Sequence, residues 1–325
     1  MNCLKPVKVS LPQDEQERRM ALDPDCFPYY YRMATYVYVP CGKCEACLSK
    51  RRTAWTMRLN NELKDSYSCY FITLTYDEDH VPWKFVNIGG FCTPVQYVYK
   101  KDCQNFLKRF RKAIQPFKVR YFLVSEYGPQ TMRPHYHMIL FNFPHELKAK
   151  IDEYINDAWG LGFIQVSPIS SARINYVTSY CLDSSSLPEH LDKNFMLCSR
   201  KPGIGLGHIC DPAIVDYYIR NMDGLAILEK NGKPCKVSMP RYYRDKLFDR
   251  SASDAIACKN IKVYADLHKS EQAAQRKWLK DHGYPLTPAY LNAAIDGSPL
   301  SLKLQSQENF KKKVQSKNKM NKKKL

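Results

Sequence analysis

Residues 121–141 constrain the fold more than any other stretch of this chain. They read Tyr-Phe-Leu-Val-Ser-Glu-Tyr-Gly-Pro-Gln-Thr-Met-Arg-Pro-His-Tyr-His-Met-Ile-Leu-Phe. Two apolar runs with strand character flank a Gly/Pro turn, the pattern of an antiparallel pair. Side chains alternate along a strand, so His135 and His137 share a face that Ile139 and Phe141 continue. Tyr136, Met138 and Leu140 occupy the opposite face. Antiparallel pairing brings Glu126, at the end of the first run, beside His135, at the start of the second. Two imidazoles and a carboxylate on one patch form a divalent-metal site with positions left open for a substrate. The competing reading is that each histidine simply packs in its strand.

Downstream, residues 174–183 read Ile-Asn-Tyr-Val-Thr-Ser-Tyr-Cys-Leu-Asp. Ile174, Val177 and Cys181 recur at helical spacing, and Tyr176 and Tyr180, four apart, share a second face. Helical tyrosines commonly pack as amphipathic residues. A phenol is also a nucleophile, weak at neutral pH because its pKa is about 10. It needs a phosphate polarised by a metal, and the two histidines supply the place for one.

Together these residues resemble the replication initiators of the microviruses, small circular single-stranded DNA phages, in particular their gokushovirus-like branch. Those proteins are HUH endonucleases, named for two histidines around a hydrophobic residue, here His135-Tyr136-His137. Glu126-Tyr-Gly resembles the family's third metal ligand, and Phe71-Ile-Thr-Leu-Thr-Tyr76 its first motif, a central strand. Tyr176 and Tyr180 resemble its paired nucleophiles. Cys41-Gly-Lys-Cys44 with Cys47, Arg51, Trp55 and Arg58, and Ser199-Arg-Lys-Pro-Gly-Ile-Gly205, add to the resemblance, which spans roughly residues 41–205.

The resemblance implies a ferredoxin-like HUH endonuclease fold and metal-dependent, site-specific nicking and rejoining of single-stranded DNA through a 5′-phosphotyrosine, the start of rolling-circle replication. It implies Mg2+ or Mn2+ on Glu126, His135 and His137, and origin DNA, host helicase and host polymerase as partners in the bacterial cytoplasm. One position departs from the pattern. The family carries a lysine shortly after the second tyrosine, where this chain has Asp183. The charge it would supply falls to Lys193, Arg200 or Lys201, or is missing.

Composition agrees with a polyanionic partner. The 325 residues carry a net charge of +18, with 23 Tyr and 14 Phe. Aromatic rings among basic side chains suit single strands, whose bases offer faces for stacking. Arg133, Arg200, Lys201 and Lys311-Lys312-Lys313 are candidate DNA contacts. The 13 cysteines, without a leader-like apolar segment at the amino terminus, point to a reducing compartment. No apolar run is long enough for a membrane span. No phosphate-binding G-x-x-x-x-G-K-[ST] occurs, which excludes an ATPase or helicase of that kind. No motif specifies an oligomeric state.

The organisation reads as four segments. Residues 1–66 are an extension with a short strand at 36–40, a cysteine cluster and a long helix from about 45 to 64. Residues 67–186 are the endonuclease core, in the order strand, helix, strand, strand, helix, strand, helix. The class is α+β, a mostly antiparallel sheet with flanking helices. Within it Asp102 is expected to cap a helix, residues around Gly89-Gly90 to form a loop, and Pro144 to open a helix that stops at Gly160. Residues 187–300 are an accessory region, helical from about 251 to 282. Residues 301–325 are a lysine-rich, disordered tail.

Cys41, Cys44 and Cys47 at two-residue spacing suit zinc. The fourth ligand is open among Cys69, Cys103 and Cys26, and simple packing is the alternative. Gly203-Ile-Gly205-Leu-Gly207 reads as a turn near DNA. Two other functions compete with the initiator: a two-His-one-Glu metal hydrolase unrelated to replication, and a non-enzymatic nucleic-acid-packaging protein.

Overall fold

The computed structural model describes residues 3, 5–128, 130–180, 187–222, 224–230 and 233–287, with 305, 308–310, 312 and 316. Asp183, Cys181, Lys311 and Lys313 lie outside the described residues. The chain forms two compact units, Met1–Ser49 with Met222–Gly224 and Phe248–Leu325, and Lys50–Asn221 with Leu225–Leu247.

The first unit opens with strand β1 (Val7–Ser10), helix α1 (Gln13–Met20), a single turn α2 (Tyr29–Arg32) and strand β2 (Tyr36–Val39), which pairs antiparallel with β1. Helix α3 (Glu45–Lys64) follows the cysteine cluster. The second unit then runs through β3 (Cys69–Tyr76), β4 (Trp83–Ile88), β5 (Phe91–Gln96), α4 (Lys100–Ala113), β6 (Arg120–Tyr127) and β7 (Pro134–Phe141). It continues with α5 (Ile151–Trp159), β8 (Gly162–Pro168), α6 (Ser171–Tyr180), β9 (Met196–Cys198) and α7 (Pro212–Asn221). The hairpin β10 (Leu225–Lys230) and β11 (Lys233–Ser238) and helix α8 (Arg241–Leu247) complete it. The long helix α9 (Arg250–Asp281) returns to the first unit.

The central sheet has the order β8-β3-β7-β6-β9, with every neighbouring pair antiparallel. Its first four strands are joined as strand-helix-strand-strand-helix-strand, the split βαβ arrangement of ferredoxin-like folds. The expected α+β class and antiparallel sheet are borne out. The strand period sorts the two faces. Tyr136, Met138 and Leu140 face a core with Phe106 and Phe110 of α4 and Ile155 and Trp159 of α5. Ile139 and Phe141 face Leu59 of α3 and Ile174 and Val177 of α6. Each such aromatic removed from a packed core costs about 3–5 kcal/mol on truncation to alanine. Arg109 ties the helices together by donating to the carbonyls of Ala158 at 2.7 Å and Trp159 at 3.0 Å. Gly160, at φ +58°, ends α5 in the left-handed conformation that glycine adopts without strain.

Several local expectations change. Asp102 does not cap α4: the helix starts at Lys100, with Tyr99 at the cap position. The Asp102 carboxylate instead accepts from Tyr76 Oη at 2.9 Å, and that hydroxyl also lies 2.9 Å from Tyr136 Oη. A buried tyrosine in place of an aliphatic residue between the histidines is satisfied through this network. The residues around Gly89-Gly90 form the β4–β5 hairpin, with both glycines at positive φ. Pro144 is followed by a 3-10 turn, His145–Lys150, before α5 begins. In the tail expected to be disordered, the described residues 305, 308–310, 312 and 316 are helical.

Candidate active site

Strands β6 and β7 pair with Glu126 directly opposite His135, as the alternation requires. On the far side of β7, Thr73 of β3 stands opposite His137. The ligand atoms of Glu126, His135 and His137 all lie within 4.8 Å of one another. Nε2 of His137 is 3.0 Å and Nε2 of His135 is 3.4 Å from Glu126 Oε2.

The other ring nitrogens are already engaged. His135 Nδ1 lies 3.2 Å from the Arg133 carbonyl, so that nitrogen must carry the proton and Nε2 presents its lone pair. His137 Nδ1 lies 3.1 Å from Thr73 Oγ1, and Phe71 stacks on its ring at 5.3 Å. The Nε2 atom of His137 is buried without a hydrogen-bond partner, since its approach to Glu126 lacks hydrogen-bond alignment. An orphaned imidazole nitrogen, a second oriented imidazole and a carboxylate make a donor set that fits a divalent cation.

Burial dominates at His137 and holds its pKa below the ordinary imidazole range, so the ring is neutral and competent as a ligand near pH 7. Burial alone would raise the Glu126 pKa, but its contacts with His135 and then His137 outweigh that and keep the carboxyl below its usual value.

Helix α6 packs across this face through Ile174 and Val177. It places Tyr176 Oη 3.2 Å and 3.4 Å from the two oxygens of Glu126. The Tyr176 and His137 rings meet edge-on at 5.3 Å. Tyr180 lies one turn later in the same helix. Thr178 of α6, wholly buried, is 3.0 Å from Thr56 of α3 through their hydroxyls, which fixes the helix against its neighbour.

The predicted basic contacts separate. Arg133 is engaged with Glu78, and donates to the Tyr76 carbonyl at 2.8 Å, so it shapes the turn after β3. The β6–β9 register sets Val124 against Met196 and Phe122 against Cys198. Lys193 therefore follows the strand to the Glu126 end, where it is exposed. Arg200 and Lys201 lie at the Arg120 end, about 20 Å away along the strand. They do not replace a charge at the metal site. They line a groove with Arg111, Lys118 and Arg120 instead. Lys312 is exposed on its helical turn.

The glycine-rich turn is a packing element. The Gly205 amide donates to buried Glu62 of α3 at 2.6 Å, and Arg120 pairs with the same carboxylate. Gly205 has φ +75°, and a Cβ there would meet the Arg58 carbonyl at 2.6 Å. Close approach to α3 explains this glycine without DNA. Sequence reasoning missed two features of the chain: Thr73 as the partner of His137, and Cys3, whose sulfur joins those of Cys41, Cys44 and Cys47. Thr73 was findable from the pairing of the first motif strand with the histidine strand. Nothing local marks Cys3.

Residues 69–185, the segment holding all of this geometry, match the family model for the replication-associated protein ORF2 group. Replication-associated protein ORF2 of Spiroplasma virus 4 is 26% identical over 312 residues, covering 87% of this chain and 92% of its own length. Replication-associated protein ORF4 of Chlamydia phage 1 is 23% identical over 243 residues, covering 67% of this chain and 56% of its own. Among solved structures, the N-terminal nuclease domain of minute virus of mice non-structural protein 1 covers 52% of this chain and 83% of its own, at 12% identity and a TM-score of 0.20. The resemblance to microvirus replication initiators is borne out. No helix among the described residues is long and apolar enough to cross a membrane.

Proposed function

We propose that this protein initiates rolling-circle replication by nicking and rejoining single-stranded origin DNA through a phosphotyrosine. The observation that carries this reading is the phenol of Tyr176, 3.2 Å from the carboxylate that also faces both histidines. Glu126, His135 and His137 would hold Mg2+ or Mn2+; imidazole ligands favour manganese in affinity and cellular supply favours magnesium. Such an ion, when bound, polarises the scissile phosphate.

The chain's own residues do the rest. Tyr176 Oη attacks phosphorus, a P–O bond forms to the phenol, and the P–O3′ bond breaks. The phenol proton leaves through its hydrogen bond to Glu126, and the released O3′ takes up a proton and primes synthesis. Tyr180, four residues on, cuts the regenerated origin, and the new 3′ hydroxyl attacks the first phosphotyrosine and closes the circle. Each exchange replaces one phosphodiester by another, so no external energy is consumed. Lys193 supplies positive charge at the correct end of the sheet. Host helicase and polymerase would extend the primed strand in the host cytoplasm. The names of the phage relatives support the replication setting.

Incubating the full chain with a single-stranded origin oligonucleotide and a divalent metal tests this. A covalent adduct supports the reading. Cleavage without adduct would point to a simple two-His-one-Glu hydrolase, and a mobility shift alone to a packaging protein.

A further inference from the structure

We propose that Cys3, Cys41, Cys44 and Cys47 bind one zinc ion in a closed tetrahedral site that staples the amino-terminal end of the chain to the start of α3. All four residues belong to the first unit and none takes part in the tyrosine chemistry.

The sulfur spacing matches a single ion. The four sulfurs lie within 4.8 Å of one another, with Cys3 Sγ 3.5 Å from Cys41 Sγ and 3.7 Å from Cys44 Sγ. Four thiolates at about 2.3 Å from a central zinc stand about 3.8 Å apart along the tetrahedral edges. A disulfide would require about 2.05 Å, and all four cysteines are free. A multi-iron cluster would spread its ligand sulfurs farther, because several metal ions and bridging sulfides lie between them.

Backbone and burial support thiolates here. Gly42, at φ +73°, turns the chain between Cys41 and Cys44. That turn aims the Cys44 amide at Cys41 Sγ, and the Cys41 amide points at Cys3 Sγ, both at 3.3 Å. N–H donors favour the charged form of sulfur. Cys44 and Cys47 flank the first residue of α3, at the positive end of its dipole, and both are buried. Phe310 packs against the cluster with the side chain of Ala46. It gives the carboxy-terminal segment an apolar anchor just before the lysines.

The unit also needs such a staple. Apart from the two cysteines, its buried apolar side chains among the described residues are Phe27, Ala46, Phe248, Ile256 and Leu279. So thin a core gives little stability by itself, and zinc binding adds directly to folding free energy. With four protein ligands no position is open for substrate or water, so the ion is structural. Binding releases the thiol protons to solvent. The candidates for the fourth ligand suggested by sequence are placed elsewhere. Cys69 packs with the β-sheet core and Cys103 is fully buried in α4. Cys26 sits beside Cys258.

The test is metal content of the full chain carrying His135→Ala and His137→Ala, so that the other site does not count. Purified from zinc-supplied cells, it should hold one zinc per chain, and cobalt in its place should give the absorption of a tetrahedral four-thiolate ion. Cys3→Ser should weaken zinc binding at least about tenfold in competition with a chromophoric chelator. Cys69→Ser should leave it unchanged. Soluble protein without zinc, protein holding iron instead, or zinc retained unchanged in Cys3→Ser would overturn the assignment. If Cys3→Ser fails to fold, the stoichiometry and the cobalt spectrum of the Cys3-containing protein decide alone.

Discussion

At Glu126 one carboxylate faces two histidines and holds a tyrosine, so small changes around it should separate metal binding from chemistry. Thr73 touches neither substrate nor phenol; it holds Nδ1 of His137 at 3.1 Å. Thr73→Val keeps the shape and removes that partner, so manganese affinity should fall about 10–100-fold, while Thr73→Ser stays near wild type. Calorimetric titration measures this, and equal affinities for all three proteins would remove Thr73 from the site. Tyr176→Phe should leave metal affinity nearly intact and reduce adduct formation to whatever Tyr180 supports. Glu126, His135 and His137 were legible in the sequence because a period of two and a tight turn leave few ways to pair two strands. Thr73 belonged to a strand the sequence identified, but its register against β7 depends on long-range pairing. Cys3 was not legible because 38 residues separate it from Cys41, and no local pattern encodes that contact.

Elements show where local rules stop. The β4–β5 hairpin escaped the sequence reading because its apolar residues do not alternate against a core. Trp83, Phe85 and Phe91 are exposed, Phe85 by 73% and Phe91 by 77%. Exposed rings on a ribbon suit stacking against bases, each worth about 1–3 kcal/mol. Phe85→Ala with Phe91→Ala should weaken single-strand binding in a polarisation titration without altering the cleavage position; unchanged affinity would assign these rings another role. The pairing of α1 with α9 offers a pH test within the first unit. Arg18 donates to Glu15 at 2.9 Å, Arg19 adds a contact at 3.1 Å, and Arg250 of α9 reaches the same carboxylate. The Arg18 hydrogen bond leads these causes and holds the Glu15 carboxyl down to about 2. A folded-state value below the unfolded one, about 4.3, stabilises above that pH and fades as pH falls towards 2. Glu15→Gln should therefore lower the urea midpoint at pH 7, and the gap should narrow between about pH 4.5 and pH 2.5. A gap that stays constant across that range would contradict the ion-pair origin.

The whole molecule joins a rigid nuclease-like sheet to a large positive charge, +18 over 325 residues. The class of the sheet was legible from element order. Strand β9, only Met196–Cys198, was too short to signal itself, and so the placement of Lys193 at one end and Arg200 at the other could not be foreseen. The carboxy-terminal lysines add charge without a core to order them. Deleting residues from Lys311 onward keeps Phe310 and should weaken binding to origin and scrambled strands alike. The slope of log affinity against log salt should flatten by about 0.7 for each phosphate that is no longer neutralised. A loss confined to the origin strand would mean that the tail reads sequence. The most direct measurement is peptide mapping by mass spectrometry of the protein after reaction with a single-stranded origin oligonucleotide. In the presence of manganese or magnesium, a nucleotide phosphate should be found on Tyr176 or Tyr180, and none should form in His137→Ala. DNA attached to any other residue, or cleavage with no attached nucleotide, would contradict a tyrosine nucleophile at this site.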